Sequence, residues 1–235
     1  MATDMSKDLA LHVRLAARGA ARHGLVTAYG HVSARLDDRH FLVSAPQPLG
    51  TIAPGDPGIV VSLDAPDLPD GVLQEVRIHR EVYRRRPDVG GVCRILPKSV
   101  LALSALGKTA RALTGVGAYF APSPPLWHDP QLIRDDQKAI DVSKLLGKQP
   151  ALVMRGNGAI TVGASIEEAL TMAVYLEDAS YFELTALAAC ASGADIIEFT
   201  PEDSAKRATK AGGLIERMWH YLCHDDSEWN LYSQT

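Results

Sequence analysis

A chain of 235 residues, 46% hydrophobic and 22% charged, can bury one substantial core and fits a single domain over residues 1–235 better than two. The formal net charge of −4 and the pI near 6.0 exclude the basic stripe by which proteins hold nucleic acid, and no apolar run approaches the roughly 20 residues that span a bilayer. The polar N-terminus has no signal-peptide core, and the widely spaced Cys93, Cys190 and Cys223, without a Cys-x-x-Cys pair, suit a reducing cytoplasm better than a disulfide framework.

Leu9, Val13, Ala16, Ala17 and Ala20 recur at helical spacing after Ser6, which reads as an N-cap, and this helix ends near Gly24. Residues 32–44 and 58–63 are rich in β-branched side chains and are separated by Pro46, Pro48, Pro54 and Pro57, so they read as strands joined by proline-rich loops. After a loop at 64–71, residues 75–86 predict an amphipathic helix with Ile78, His79, Val82 and Tyr83 inward and Pro87 as its stop. Arg77, Arg80 and Arg84 share one face of that helix and read as a solvated or subunit-facing stripe.

A short apolar strand is expected at 89–95, then a helix opened by Pro97 and closed by Gly107. Residues 119–129 form a proline-rich loop, and a helix at 135–146 ends at Gly147. Two strands, 151–155 and 159–162, meet at Gly156-Asn157-Gly158. Ser165-Ile166-Glu167-Glu168 is a capping box for a long helix running to about Cys190, and Thr200-Pro201-Glu202-Asp203 opens one final helix with Ala208, Ile215, Met218, Trp219 and Leu222 inward. This order predicts an α/β fold, a central sheet with helices on both faces.

Three segments carry a resemblance: Glu75-Val76-Arg77-Ile78-His79, then Arg86-Pro87-Asp88-Val89-Gly90-Gly91-Val92-Cys93-Arg94-Ile95-Leu96, then Met154-Arg155-Gly156-Asn157-Gly158-Ala159-Ile160-Thr161-Val162-Gly163. Their order and gaps resemble the class II aldolase/adducin family. Gly24-Leu25-Val26, Gly30-His31-Val32-Ser33-Ala34-Arg35 and Gly163-Ala164-Ser165-Ile166-Glu167-Glu168-Ala169 are similar to its first-helix exit, its Gly-(Asn/His)-(Ile/Val)-Ser-x-Arg segment and the start of its long helix. The resemblance covers most of the chain. It implies a three-layer α/β/α fold with a mostly antiparallel sheet, and a homo-oligomer, a tetramer with sites between subunits.

In that family three histidines hold a divalent ion that polarises a substrate oxygen. The matching positions here are Arg94, Leu96 and Asn157. His31 replaces an asparagine frequent in sugar-phosphate aldolases, and Leu73-Gln74 replaces the Ser-Ser that grips phosphate, so a phosphorylated sugar is not expected. The nearest likeness is to the branch of decarboxylases acting on hydroxylated aromatic and carboxymuconate-type acids. That branch reads Arg-Gly-His-Gly where this chain has Arg155-Gly156-Asn157-Gly158.

The resemblance makes Glu75 the proton-transferring carboxylate, a role that shielding from water would favour; the bland reading is a first-turn glutamate complementing a helix dipole. Arg94 cannot ligate a cation, because guanidinium has no lone pair to offer, but it supplies positive charge where the ion stood. It either clamps a substrate carboxylate or forming oxyanion, or neutralises Glu75 in a dead site. Leu96 has no ligand chemistry. Asn157 either bonds to substrate or serves only as a turn residue.

His31 is a candidate substrate contact, whereas His79, on an inward helical face, reads as a core histidine. Tyr119 and His128 lie in the proline-rich loop, where family members place substrate contacts, and are either pocket residues or parts of a rigid connection. Among Trp219, His220, Tyr221 and His224, Trp219 is expected to pack and a polar neighbour to reach an adjacent subunit. Cys93, by strand alternation, points away from Arg94 as a buried thiol.

Together these residues give a lyase-like enzyme for a small carboxylate, working without metal or other cofactor. The same groups would serve an isomerase or cyclase. A non-catalytic scaffold is the reading from another class, and a metal held by His31, His79 or His128 is a third, though those residues lack ligand spacing on one element.

Overall fold

The computed structural model describes residues 2–232, with side chains described from residue 8 onward. In chain order the elements are α1 (Ala2–Arg22), β1 (His31–Arg35), β2 (His40–Val43), β3 (Ile59–Ser62), α2 (Arg77–Arg85), β4 (Gly91–Ile95), α3 (Lys98–Ala105), β5 (Leu126–Trp127), α4 (Asp136–Leu146), β6 (Ala151–Met154), β7 (Ala159–Gly163), α5 (Ile166–Cys190), α6 (Pro201–Arg207), α7 (Leu214–Cys223) and α8 (Trp229–Tyr232). The strands form one seven-stranded sheet in the order β3-β2-β1-β4-β7-β6-β5. Every pairing is antiparallel except β5 with β6.

Alternation along the strands feeds two cores. Val32, Ala34, Cys93 and Ile95 pack with α1, α5 and α7 on one face, where Ala16, Ala17 and Ala20 let α1 lie close. Phe41, Val43, Val92 and Val162 pack on the other face with Ile78, Val82 and Tyr83 of α2 and Ala139, Val142 and Leu146 of α4. The three-layer arrangement expected from the element order is present. Among the described residues no helix is long and apolar enough to cross a membrane.

The cap predicted at Ser165 forms, its side chain accepting from the Glu168 amide, and Asp135 caps α4 by accepting from the Lys138 amide. Helix α1 already begins at Ala2, upstream of Ser6, whose side chain lies outside the described residues. The expected single final helix is two. Gly212 and Gly213 sit at φ 75° and 65°, and consecutive left-handed residues break the right-handed ladder between α6 and α7. The loop at 119–129 contains β5, which pairs in parallel with β6 through Leu126 and Trp127.

The arginine stripe on α2 also differs from expectation. Arg80 is 1% exposed and donates Nη2 to Asp136 at 2.8 Å, and Arg77 Nε reaches the same carboxylate at 2.8 Å. Arginine stems cover apolar surface while their heads find partners, and here the partner is the first turn of α4, placed there only by tertiary packing.

A second buried network closes the other side. Arg14, Arg18 and Arg22 recur every fourth residue on α1 and face the C-terminal segment. Arg18 donates to Asp226 at 2.8 and 2.6 Å and to Glu228 at 2.7 Å, Arg14 donates twice to Glu228 at 2.8 Å, and Arg22 reaches Asp226 at 2.7 Å.

Candidate active site

His31 of β1 and Arg94 of β4 are directly opposed in the ladder, so both side chains leave the same face of the sheet, toward α2. Cys93, one residue earlier, faces the opposite core, and burial pushes its thiol pKa up. Arg94 is 3% exposed. Its Nη1 donates to the Ile95 carbonyl and its Nη2 to Asn157 Oδ1, each at 2.8 Å, while Nε has no partner among the described residues. Both acceptors are neutral. Burial draws the guanidinium pKa down to about 10, and the charge of nearby Glu75 works in the opposite direction.

Asn157 reaches Arg94 because the β6–β7 turn folds tightly over the end of β4. Its own φ is not positive; the flanking Gly156 and Gly158 take the left-handed conformation, at φ 67° and 69°. A Cβ on Gly158 would lie 2.0 Å from the Ile95 carbonyl oxygen, so only glycine allows this approach. Asn157 is therefore both a turn residue and a hydrogen-bond partner of the buried cation.

Behind His31 lies a chain of polar groups. His31 Nδ1 is 2.8 Å from His79 Nε2, His79 Nδ1 is 2.6 Å from Ser33 Oγ, and Ser33 Oγ is 2.9 Å from the Tyr83 hydroxyl. Burial, then the Arg94 charge, lowers the His79 pKa to about 3. Burial, His79 and Arg94 together hold His31 well below its usual value, so both rings are neutral at physiological pH.

Arg94, His31, Asn157, Glu75, Leu96 and Arg134 share the wall of one cavity of about 540 Å³. Glu75 enters it from the 3₁₀ turn Gln74–Val76 that leads into α2, and has no side-chain hydrogen bond among the described residues. Arg94 thus pairs with Asn157 and not with Glu75. Leu96 lines the cavity without closing it. Arg134 is exposed at its mouth and has no ion-pair partner among the described residues.

The structure brings Glu75, Arg94, His31 and Asn157 together and places Tyr119 and His128 elsewhere. Tyr119 lines a separate cavity of about 480 Å³ beside Phe199 and Ser204, and its hydroxyl donates to the Thr209 carbonyl. His128 lines neither cavity, and its carbonyl accepts from Arg155 Nε at 2.8 Å. His79 is fully buried, as its helical face implied, but it also supports a wall residue of the cavity. Sequence reading missed Arg134, which sits in an aperiodic loop. It also missed Ser33 and Tyr83, although Ser33 follows His31 by two on a strand and Tyr83 follows His79 by four on a helix.

A divalent ion does not fit the matching donor set. Arg94 is cationic, Leu96 has no lone pair, and the Asn157 oxygen already accepts from Arg94. Among the described residues no group of three or more His, Cys, Asp or Glu side chains could hold a metal.

Comparison with known proteins bears on the family and the fold. The chain is 30% identical over 203 residues to 3,4-dihydroxyphthalate decarboxylase of Terrabacter sp. (strain DBF63), covering 77% of this chain and 82% of that protein. It is 26% identical over 237 residues to the protein of the same name from Arthrobacter keyseri, covering 92% and 94%. In fold it is similar to L-fuculose 1-phosphate aldolase from Glaciozyma antarctica PI12, with a TM-score of 0.77 at 20% identity over 99% of this chain and 94% of the other. The family model for the class II aldolase and adducin N-terminal domain matches residues 12–184. The fold, the ordered motifs and this match together place the chain in the class II aldolase/adducin family.

Proposed function

We propose that the protein is a lyase that decarboxylates a non-phosphorylated, hydroxylated aromatic acid of the dihydroxyphthalate type, without a divalent metal. The carrying observation is Arg94: a buried guanidinium with only neutral partners, on the wall of an open cavity that also holds Glu75. An uncompensated buried cation costs stability unless an anion completes it, and a carboxylate or phenolate oxygen is that anion. The relatives' names supply the substrate class.

In this reading Arg94 fixes the ring oxyanion, Asn157 holds Arg94 in place, His31 holds substrate, and Arg134 at the mouth attracts a second carboxylate. Glu75 takes the proton of a ring hydroxyl and passes it to the adjacent ring carbon that bears the carboxylate, as the ring oxygen becomes a carbonyl. The bond to the carboxylate then breaks, CO2 leaves, and the electron pair returns to the ring oxygen as phenolate beside Arg94. Solvent then protonates the phenolate. The same groups would stabilise an enolate in an isomerase or cyclase, but the relatives' names favour decarboxylation.

A cytoplasmic homotetramer, in which a neighbouring subunit brings Tyr119, His128 or the polar end of α7 near this cavity, belongs to the same proposal. Light scattering of the purified protein tests the assembly. Turnover of 3,4-dihydroxyphthalate to CO2 in the presence of a strong chelator tests the reaction. Activity that disappears with the chelator and returns with zinc or manganese overturns metal independence. Binding or turnover indifferent to both Glu75→Gln and Arg94→Ala would favour a scaffold.

A further inference from the structure

The polar chain behind the cavity fixes more than the position of His31. In each of its three contacts one proton lies between two heavy atoms, so the direction of one bond sets the others. Two directions are possible. If His31 Nδ1 donates to His79, then His79 Nδ1 donates to Ser33, Ser33 donates to Tyr83, and the Tyr83 hydroxyl proton has no acceptor in the core. In the reverse direction Tyr83 donates to Ser33 Oγ, Ser33 donates to His79 Nδ1, and His79 Nε2–H donates to His31 Nδ1. Every core proton is then used, and the one left over sits on His31 Nε2.

His31 Nε2 is buried and has no partner among the described residues, and its ring lines the cavity. Arg94 Nε, on the directly opposed residue, is also buried and unpartnered among the described residues. Buried N–H groups without acceptors are costly, and two from one cross-strand pair on a cavity wall call for the same thing, an anionic oxygen from outside.

We propose that the Tyr83–Ser33–His79 chain holds His31 as the neutral Nε2–H tautomer, so that His31 and Arg94 form a donor pair for one anionic oxygen of the substrate. His31 is then a hydrogen-bond donor and not a base, which leaves proton transfer to Glu75. Ser33, His79 and Tyr83 are positioning residues. This inference rests on the carboxylate-lyase reading for the identity of the anion, while the tautomer itself needs no substrate.

The test is long-range proton–nitrogen correlation NMR on the full chain labelled with ¹⁵N-histidine, with His31 signals assigned by their loss in His31→Gln. In the free protein, His31 Nε2 is expected to be pyrrole-like and Nδ1 pyridine-like, with the same pattern in His79. Ser33→Ala should convert His31 to a mixture of tautomers and Ser33→Thr should restore the single form, whereas Tyr83→Phe should keep it, because the Ser33 hydroxyl then has only His79 Nδ1 to donate to in this chain. A pyridine-like Nε2 in the unmodified protein overturns the proposal, as does a tautomer unmoved by Ser33→Ala. Should one variant fail to fold, the unmodified protein still decides the outcome. A wrong tautomer leaves decarboxylation standing, whereas the right tautomer in a protein inert toward 3,4-dihydroxyphthalate defeats the lyase reading alone.

Discussion

Arg18 and Arg94 are both almost fully buried, at 8% and 3% exposure, and their surroundings are opposite. Arg18 is gripped by Asp226 and Glu228; burial opposes its charge, but these hydrogen bonds carry the net pKa shift upward. Among the described residues Arg94 hydrogen-bonds only to a backbone carbonyl and an amide oxygen, and burial outweighs the nearby Glu75 charge so that its pKa falls. The first arrangement completes itself within the chain. In the proposed reading the second is completed by an anion from outside, and that difference would separate a structural ion pair from a binding site.

Replacing each arginine by methionine should separate the two roles. Arg94→Met is expected to lower decarboxylation by on the order of 10²–10³-fold, because charge stabilisation at the oxyanion is lost. Its urea midpoint should stay level or rise, since an unpaired buried charge has gone. Arg18→Met should leave the chemistry intact and cost about 3 kcal/mol of stability, because Asp226 and Glu228 lose their central partner. Equal destabilisation by both changes in urea melts would break the comparison.

Gly158→Ala should cost roughly 2 kcal/mol or more, through a strained φ and a Cβ driven into the Ile95 carbonyl. Because the turn carries Asn157, activity should fall further than stability does, as read by kinetics on the folded fraction. If the turn merely relaxes and full activity survives, Asn157 does not orient Arg94.

The C-terminal network also predicts an acid response. Burial alone would raise the Asp226 pKa, but hydrogen bonds from Arg18 and Arg22 win and hold it at about 2, and Glu228 is lowered in the same manner. A folded pKa below the unfolded value, roughly 3.9 for Asp, means that the stabilisation is present above that value and lost as pH falls toward 2. Denaturation midpoints measured across this window should fall steeply in the unmodified protein and less in Arg18→Met. Parallel curves would show that Arg18 does not set the shift.

The smallest effect is expected at Arg134. Exposed at the mouth, it should raise KM roughly two- to fivefold when changed to Gln and leave kcat almost unchanged, as a screened surface charge does. A fall in kcat instead would move Arg134 from attracting substrate to stabilising the transition state.

Much of the fold was legible in advance because it rests on local signals. The period of α2 placed Ile78, His79, Val82 and Tyr83 inward, all of them buried, and Ser165 caps the long helix expected to begin there. The Gly212-Gly213 break was missed because the apolar pattern continued through it, and β5 because two residues between prolines carry no period. At the site, ordered motifs pointed to Glu75, His31, Arg94 and Asn157. The partners of Arg94 and the line from His31 to Tyr83 were hidden, since each joins residues from different elements.

The sequence by itself determined which groups could act: it removed the imidazoles, retained Glu75 and put a permanent cation at position 94, because ionisation and lone pairs belong to residue type. Only the tertiary structure decided that Arg94 turns to Asn157 instead of Glu75, that Leu96 leaves the cavity open, and that Arg80 is buried against α4. Those outcomes depend on strand register, on one glycine tight against a carbonyl, and on which helix packs where, relations among distant segments that no local pattern encodes.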